Sequence, residues 1–310
     1  MQNTDRTISA RKAAAERIVH RASVVRVARG SSFFVRRWIM TLVMMAAAVF
    51  WLLPVIWVLV NSLKLTPNII RMPPEWIPWP FTAEHYWQVL FSASRSARIG
   101  RAFLNSGIIS VGSVALALLT SAMAAYPLAR MRFPGRNLIF ALLVGSLMVP
   151  NVVTLVPTYI LVQRLGWLST FQGLIVPEAA TVLAFGIFLL RQFFLGIPTE
   201  LEDAARIDGA NAWQIFTRII LPLSHPAFAA LAIFAFRSAW NDFLWPLIAV
   251  NKPDMFTLPV ALALLRGAYM NESYGPIMAG AILSALPLLI VFLIANRRIV
   301  EGVQLSGLKG

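Results

Sequence analysis

Four side chains that could contact a polar ligand stand in one otherwise apolar segment, residues 226–250: Arg237, Trp240, Asn241 and Asp242. An ionisable group at the centre of a membrane helix costs about 2.5–3.5 kcal/mol on insertion scales, so a functional role is the default hypothesis. An amide, a carboxylate and an indole face can bind a polar solute, and ionisable groups within membrane helices mark substrate pathways. These residues are therefore a candidate substrate path. In the alternative, Asn241 and Asp242 lie near a membrane interface and Arg237 binds backbone carbonyl groups of a neighbouring helix.

A second group of polar residues lies in the segment 198–222 and predicts a short helix with an acidic start. Thr199 and Glu202 have the spacing of a capping box, in which each side chain bonds the other residue's backbone N–H. Acidic side chains in the first turn also favour the positive end of the helix dipole. Gly209 is expected to end or bend this helix.

A second short helix is expected to follow Gly209, because apolar residues recur there at helical spacing: Trp213, Phe216, Ile219 and Ile220. Pro222 is expected to stop it. The whole segment is open to two interpretations: an ordinary amphipathic connection with a good cap, or a helix–turn–helix whose small residues Ala204 and Ala205 let a partner protein pack closely.

The composition excludes several kinds of catalytic site. The chain has no cysteine and only three histidines, at positions 20, 85 and 225, which excludes thiol catalysis and zinc centres. It also has no Gly-x4-Gly-Lys-Ser/Thr loop to hold nucleotide phosphates. No catalytic residue, resident cofactor or metal ligand is therefore expected in this chain.

The elements that must position these residues are membrane helices. Of the 310 residues, 58% are hydrophobic and only 13% are charged, against about 45–50% and about 25% in soluble domains. Apolar stretches long enough to cross about 30 Å of hydrocarbon predict an all-α protein with six spans. The predicted spans are residues 38–61, 103–128, 138–162, 168–190, 226–250 and 274–296. Glu178, within the fourth span, is expected to lie at its interfacial end.

Basic residues predict the orientation of the spans, because Lys and Arg concentrate on the cytoplasmic side. Nine of them precede Trp38, which predicts a cytoplasmic arm over residues 1–37; it lacks the apolar core and cleavage site of a signal peptide. Regions expected inside hold 18 basic residues and those expected outside hold 8. The transmembrane domain then covers residues 38–297, and the tail 298–310 is cytoplasmic. The net charge of +14 is assigned to an anionic membrane surface and not to nucleic acid.

The segment 198–222 resembles the cytoplasmic loop of permease subunits of ATP-binding-cassette (ABC) importers. Their pattern, acid-Ala-Ala-x3-Gly-x9-Ile-x-Leu-Pro, is matched at Asp203, Ala204, Ala205, Gly209, Ile219, Leu221 and Pro222. The family usually has Glu as the first residue; here it is Asp203, with Glu202 directly before it.

Further motifs resemble the carbohydrate branch of these importers, the relatives of the smaller maltose-type permease. They are Ile207-Asp208-Gly209-Ala210, Trp240-Asn241-Asp242-Phe243-Leu244-Trp245-Pro246-Leu247, Thr257-Leu258-Pro259-Val260, Asn105-Ser106, Ala125-Tyr126 and the Gly-rich tail from Gly302. The tail departs from the family at Ser306, where Gly is usual. The resemblance runs from about Trp38 to Gly310 and leaves out the basic arm.

The resemblance implies a six-helix permease of the type I importer fold in a bacterial-type inner membrane. It implies alternating access with a second homologous permease, two ATPase subunits that carry ATP and Mg²⁺, an extracytoplasmic binding protein and membrane lipid as partners. The implied ATPase-coupling residues are Glu202, Asp203, Ala204, Ala205, Asp208, Gly209 and Ala210.

Two functions other than that of an importer permease find less support in the sequence. An ion-coupled secondary transporter would need intramembrane carboxylates and paired broken helices in inverted repeats. Glu178 and Asp242 are too few carboxylates to support this mechanism, and the sequence shows no second copy of either half. A membrane-embedded enzyme would need a nucleophile–base or metal constellation, which three scattered histidines do not supply.

Overall fold

The computed structural model describes residues 36–91, 99–269 and 274–307, with side chains up to residue 266 in the second range and up to residue 294 in the last. Most of the predicted arm 1–37 and the last three residues of the tail lie outside the described residues. The chain divides into two compact units, residues 1–57 and 58–310. The described helices are α1 Arg36–Ser62, α2 Thr66–Ile69, α3 Glu84–Phe91, α4 Ile99–Arg130, α5 Arg136–Ser146, α6 Asn151–Arg164, α7 Phe171–Gly196, α8 Glu200–Ile207, α9 Ala212–Ile215, α10 Leu221–Leu223, α11 His225–Asn241, α12 Leu244–Ala249, α13 Leu258–Tyr269 and α14 Gly275–Gly307.

The described part of the first unit belongs to α1, a helix that is apolar on every side. None of its 18 most hydrophobic consecutive residues is buried. A helix that exposes apolar side chains all round cannot be stable in water, so it is typical of a helix surrounded by lipid or by another subunit.

The second unit is built around α4 and α7, which pack closely because small residues lie between them. A Cβ atom at Gly112 would lie 2.7 Å from Ile175 Cδ1, and one at Gly186 would lie 2.3 Å from Ser121 Oγ. The contacts advance in the same direction along both helices, so α4 and α7 are parallel. Helix α11 is antiparallel to them, since Leu231 packs near Gly186 and Trp240 stacks edge-on against Phe103.

The predicted third span, residues 138–162, is not one helix. Helices α5 and α6 meet there at an angle of 101°. Pro150 stands directly before α6 and disfavours helical backbone in the residue before it, which ends the first helix. Because α4 and α7 are parallel, the chain between them has to return across the bundle once, and the bent pair α5–α6 is that return.

The predicted fifth span, residues 226–250, is also interrupted. Helix α11 ends at Asn241, Asp242 is extended with φ −65° and ψ 122°, and α12 begins at Leu244. The other predicted spans fall largely on uninterrupted helices: α1, α4, α7 and α14. Within its described residues the structure has four helices long and apolar enough to cross a membrane. The number rises to six if each of two bent pairs counts as one span: α5 with α6, and Ala212–Leu223 with α11, which meet at 75°.

Two of the motifs that carry the family resemblance meet at the first turns of α4. Asn105 Nδ2 donates hydrogen bonds to the backbone oxygens of Asp254 and Phe256, and the Leu258 backbone N–H donates to Ser106 Oγ at 2.8 Å. These bonds fix the loop before α13 to the end of α4 that is remote from Arg130.

Candidate functional site

The segment between α7 and α11 comprises two short helices joined at Gly209, and it is the candidate site. Gly209 has φ +83°, a left-handed conformation that costs an L-residue about 1–2 kcal/mol and glycine nothing. A Cβ atom there would meet nothing within 4 Å. The predicted bend at Gly209 is confirmed, and it depends on backbone conformation and not on crowding.

The predicted capping box at the start of α8 is wrong. Thr199 has helical backbone angles, and its side chain makes no capping hydrogen bond. Its backbone oxygen instead accepts from the N–H groups of Glu202 and Asp203, each at 3.0 Å. The Glu202 carboxylate is occupied elsewhere and does not reach back to Thr199.

A capping box occurs at the start of α9, where it was not predicted. The Gln214 backbone N–H donates to Asn211 Oδ1 at 2.9 Å, and the Asn211 N–H donates to Gln214 Oε1 at 2.8 Å. This box fixes the direction in which the chain leaves the bend at Gly209.

The second short helix stops before α11, as predicted, but it ends at Leu223, one residue after Pro222. The chain passes from α9 through one π turn, Phe216–Ile220, into α10, which contains Pro222 in its first turn. The direction changes by 75° only before α11, at Ser224, whose Oγ donates to the Ile220 backbone oxygen.

The second short helix is fixed to the bundle through an aromatic contact with α4. The rings of Tyr126 and Phe216 are 4.9 Å apart, and Tyr126 Oη donates to the Ala212 backbone oxygen at 3.4 Å. Ile215 and Ile220 are also buried. Trp213, in contrast, is 62% exposed, so the four apolar residues predicted to share a face do not all point into the core.

Glu202 on α8 points into the protein. Its side chain is 2% exposed, and its Oε1 lies 2.7 Å from Nε of Arg130, which is 8% exposed. Arg130 is the last residue of α4, and its Nη2 also donates to the Ile197 backbone oxygen at 2.6 Å. Arg206 lies 3.4 Å from the other Glu202 oxygen and 2.9 Å from Asp203 Oδ1.

The remaining predicted coupling residues divide between two faces. Ala205 and Ala210 are partly buried and pack against the core formed by α4, α7 and α11. The exposed face combines apolar and acidic side chains, including Ile207 at 87% exposure. Its members are Leu201, Asp203, Ala204, Ile207 and Asp208, which together we call the outer face of α8.

The candidate path residues are likewise separated by the structure. Trp240 is 2% exposed, stacks on Phe236 and donates from Nε1 to the Ser284 backbone oxygen. Arg237 and Asn241 are exposed on the same side of α11, and Asn241 Nδ2 donates to the Arg237 backbone oxygen.

Asp242 faces an acidic neighbour that lies on α7. The carboxyl of Glu178 interacts with the side chains of Ser238 and Asp242, and the Glu178 side chain is buried within the protein. Asp242 Oδ1 also accepts from the Trp245 backbone N–H at 3.4 Å. Within the described residues, no group of three or more His, Asp or Glu side chains could hold a metal ion.

Sequence reasoning missed Arg130 and Tyr126 as parts of this site. In the sequence, Arg130 is one of the 18 basic residues in regions expected inside, and Tyr126 belongs to the Ala125-Tyr126 motif of the family resemblance. No spacing rule connects residue 130 with residue 202, because their contact depends on how α4 packs against α7. An arginine as the last residue of a long apolar helix was the one available signal.

Comparison with known proteins identifies a family. Residues 117–304 match the family described as binding-protein-dependent transport system inner membrane component. The diacetylchitobiose uptake system permease protein of Streptomyces coelicolor is 35% identical over 256 residues, covering 82% of each chain. The arabinooligosaccharides transport system permease protein of Bacillus subtilis is 34% identical over 280 residues, covering 90% of this chain and 98% of the relative.

A further relative and a solved structure agree with these matches. The trehalose/maltose transport system permease protein of Thermococcus litoralis is 33% identical, covering 85% of this chain and 93% of the relative. A crystal structure of a bacterial ABC transporter involved in the import of the acidic polysaccharide alginate has a chain of the same fold. Its TM-score is 0.72 at 23% identity, covering 84% of this chain and 94% of that one.

Proposed function

Because the chain belongs to the family of binding-protein-dependent transport system inner membrane components, we propose that it is the membrane-spanning permease subunit of an ATP-driven importer of a sugar or related polyol. The three relatives named above are permeases for diacetylchitobiose, arabinooligosaccharides and trehalose or maltose. This shared carbohydrate chemistry supports a sugar as the substrate. The chain is a transport subunit without a catalytic site of its own.

The observation that carries the proposal is the outer face of α8. A short helix that is fixed firmly to the bundle on one side presents exposed apolar and acidic side chains on the other. Contiguous exposed apolar residues rimmed by charge are typical of a protein-binding surface. We assign this face to an ATPase subunit on the cytoplasmic side, where ATP and Mg²⁺ would be bound by the partner.

The proposed assembly contains this chain, a second homologous permease, two ATPase subunits and an extracytoplasmic binding protein. Both termini and the segment 198–222 lie in the cytoplasm, as the distribution of basic residues indicates. The parallel packing of α4 and α7 and the antiparallel packing of α11 agree with that alternation of spans.

For the substrate path we retain Arg237, Asn241 and Asp242 and leave out Trp240. Trp240 is buried in the core and uses its only polar group on Ser284. Arg237 and Asn241 form an exposed polar stripe on a membrane helix, which is costly against lipid. We therefore infer that this stripe faces the second permease or the substrate path between the two subunits.

The test is uptake of candidate oligosaccharides by the complete complex in liposomes, with Ala204→Trp and Ala204→Ser compared. Ala204 is exposed on the outer face of α8, so the indole is expected to clash with the ATPase without disturbing the fold. Ala204→Trp should reduce ATPase retention and substrate-stimulated hydrolysis by about tenfold, within the 5–150-fold range of typical couplings. Ala204→Ser, which adds only a hydroxyl, should behave as wild type.

The rival mechanism is an ion-coupled secondary transporter. Uptake that proceeds without ATP and collapses when a proton or sodium gradient is dissipated would establish that mechanism instead. The proposal therefore requires uptake that depends on internal ATP and persists without ion gradients.

A further inference from the structure

Arg130 joins three helical elements of the protein at one guanidinium group. It is the last residue of α4, it donates to the backbone oxygen of Ile197 directly after α7, and it lies 2.7 Å from the Glu202 carboxylate on α8. Both ionic side chains are withdrawn from solvent, at 8% and 2% exposure. Any movement of α8 away from the ends of α4 and α7 must separate this buried pair.

The Glu202 carboxylate is withdrawn from contact with another protein, because its side chain is 2% exposed. One oxygen faces Arg130, and the other faces Arg206 at 3.4 Å. Asp203, the next residue, is exposed, and Arg206 also reaches its Oδ1 at 2.9 Å. Of these two adjacent acids, Asp203 is therefore the one that a partner can reach, and the Glu202 carboxylate serves the interior of this chain.

We propose that the Arg130–Glu202 pair is an internal latch that holds α8 in a fixed orientation against the ends of α4 and α7, so that Glu202 is a positioning residue for ATPase coupling and not an ATPase contact. This inference rests on the proposed function of the outer face of α8. It assigns to Arg130 a role in coupling, and it removes Glu202 from the docking surface.

The physical chemistry of a buried ion pair supplies a specific test. Removing one partner leaves an uncompensated charge in a low-dielectric site, whereas replacing both by apolar residues of similar volume is often neutral. Glu202→Met alone should therefore release α8, and Arg130→Met/Glu202→Met should restore its position. A carboxylate that contacted the ATPase directly could not be restored by any change at residue 130.

The orientation of α8 can be measured directly, because the chain has no cysteine. Spin labels on cysteines introduced at Thr199, which has helical backbone angles directly before α8 and lies outside its outer face, and at Arg132, both exposed, report the distance from α8 to the loop after α4 in the complete complex. We expect a narrow distance distribution in wild type, a broad one in Glu202→Met, and a narrow one again in the double variant. Glu200→Met, which removes an exposed acid from the same helix, should leave the distribution narrow.

Substrate-stimulated ATPase activity of the same variants, without labels, completes the test. Glu202→Met should lower the stimulation about tenfold, within the range of allosteric couplings, and the double variant should recover most of it. A narrow distribution in Glu202→Met, or a double variant as uncoupled as the single one, would overturn the latch. Wild-type coupling in Ala204→Trp would instead contradict the proposed docking of the outer face, so the two failures are distinguishable.

Discussion

At the residue scale, the side chains of α8 do not all serve the same partner although they share one motif. The sequence pattern groups Glu202, Asp203, Ala204 and Ala205 together. The structure turns Glu202 inward onto Arg130, packs Ala205 on the core and leaves Asp203 and Ala204 exposed. A helix that is held to a bundle must have both a buried and an exposed face, so a contiguous motif necessarily divides between them.

Gly209 provides the first prediction at this scale. Its φ of +83° with open space around the Cβ position means that Gly209→Val suffers from backbone strain alone. Gly209→Val should release the ATPase subunits or lower substrate-stimulated hydrolysis. Gly209→Asn should retain most of the coupling, because Asn tolerates the left-handed conformation. The measurement is the amount of ATPase subunit retained on the purified complex of each variant. Equal retention in Gly209→Val and Gly209→Asn would argue against a role for backbone conformation.

Asp242 and Asn241 provide the second prediction at the residue scale. If they contact the substrate, Asn241→Ala and Asp242→Ala should each lower uptake while assembly and ATPase docking remain intact. Asn241 is exposed, whereas Asp242 also interacts with Glu178 and with the Trp245 N–H. Uptake and subunit stoichiometry are measured together. A complex that fails to assemble only with Asp242→Ala would make Asp242 structural and leave Asn241 as the path residue.

At the scale of elements, the two short helices form the connector between α7 and α11, and each of them has its own attachment to the bundle. The first is held by the Arg130–Glu202 pair, and the second by the Tyr126–Phe216 contact and its capping box. Both attachments lead to the last turns of α4, which packs along α7. Motion of the connector is therefore coupled directly to the packed core of the bundle.

The inward packing of Ala205 yields a prediction for this connector. Ala205→Trp adds a large side chain against the core cluster, and overpacking typically costs about 1–3 kcal/mol. The variant should lower the thermal unfolding midpoint of the purified complex as well as its coupling. Ala204→Trp, on the exposed side, should lower coupling with little change in the midpoint. Identical midpoints for both substitutions would contradict the assignment of these residues to opposite faces.

At the scale of the whole molecule, helix packing constrains the directions in which the helices of the membrane bundle run relative to one another. Parallel α4 and α7 need one return between them, which the bent pair α5–α6 supplies, and α11 runs against both. Together with the 18 basic residues in regions expected inside, this predicts that both termini and the segment 198–222 are cytoplasmic. A reporter fused after Gly310 should be active only inside the cell; activity only outside would reverse the topology.

The sequence by itself determined the class of protein, the number of apolar segments and the family. These follow from one-dimensional properties: the length of charge-free stretches, the bias of Lys and Arg, and the spacing of the motif from Asp203 to Pro222. The bend at Gly209 could also be predicted, because few residues other than glycine accept a left-handed backbone.

Only the tertiary structure decided which polar groups are partners. The capping box at Thr199 failed because Glu202 is drawn to Arg130, 72 residues earlier in the chain. Trp240 and Asn241 are neighbours in sequence, yet one is buried in the core and the other is exposed. Contacts of this kind depend on the register in which α4, α7 and α11 pack, and that register is set by small residues such as Gly112 and Gly186 meeting specific side chains across the bundle. No local pattern in the chain encodes such a register, because it is a property of pairs of helices.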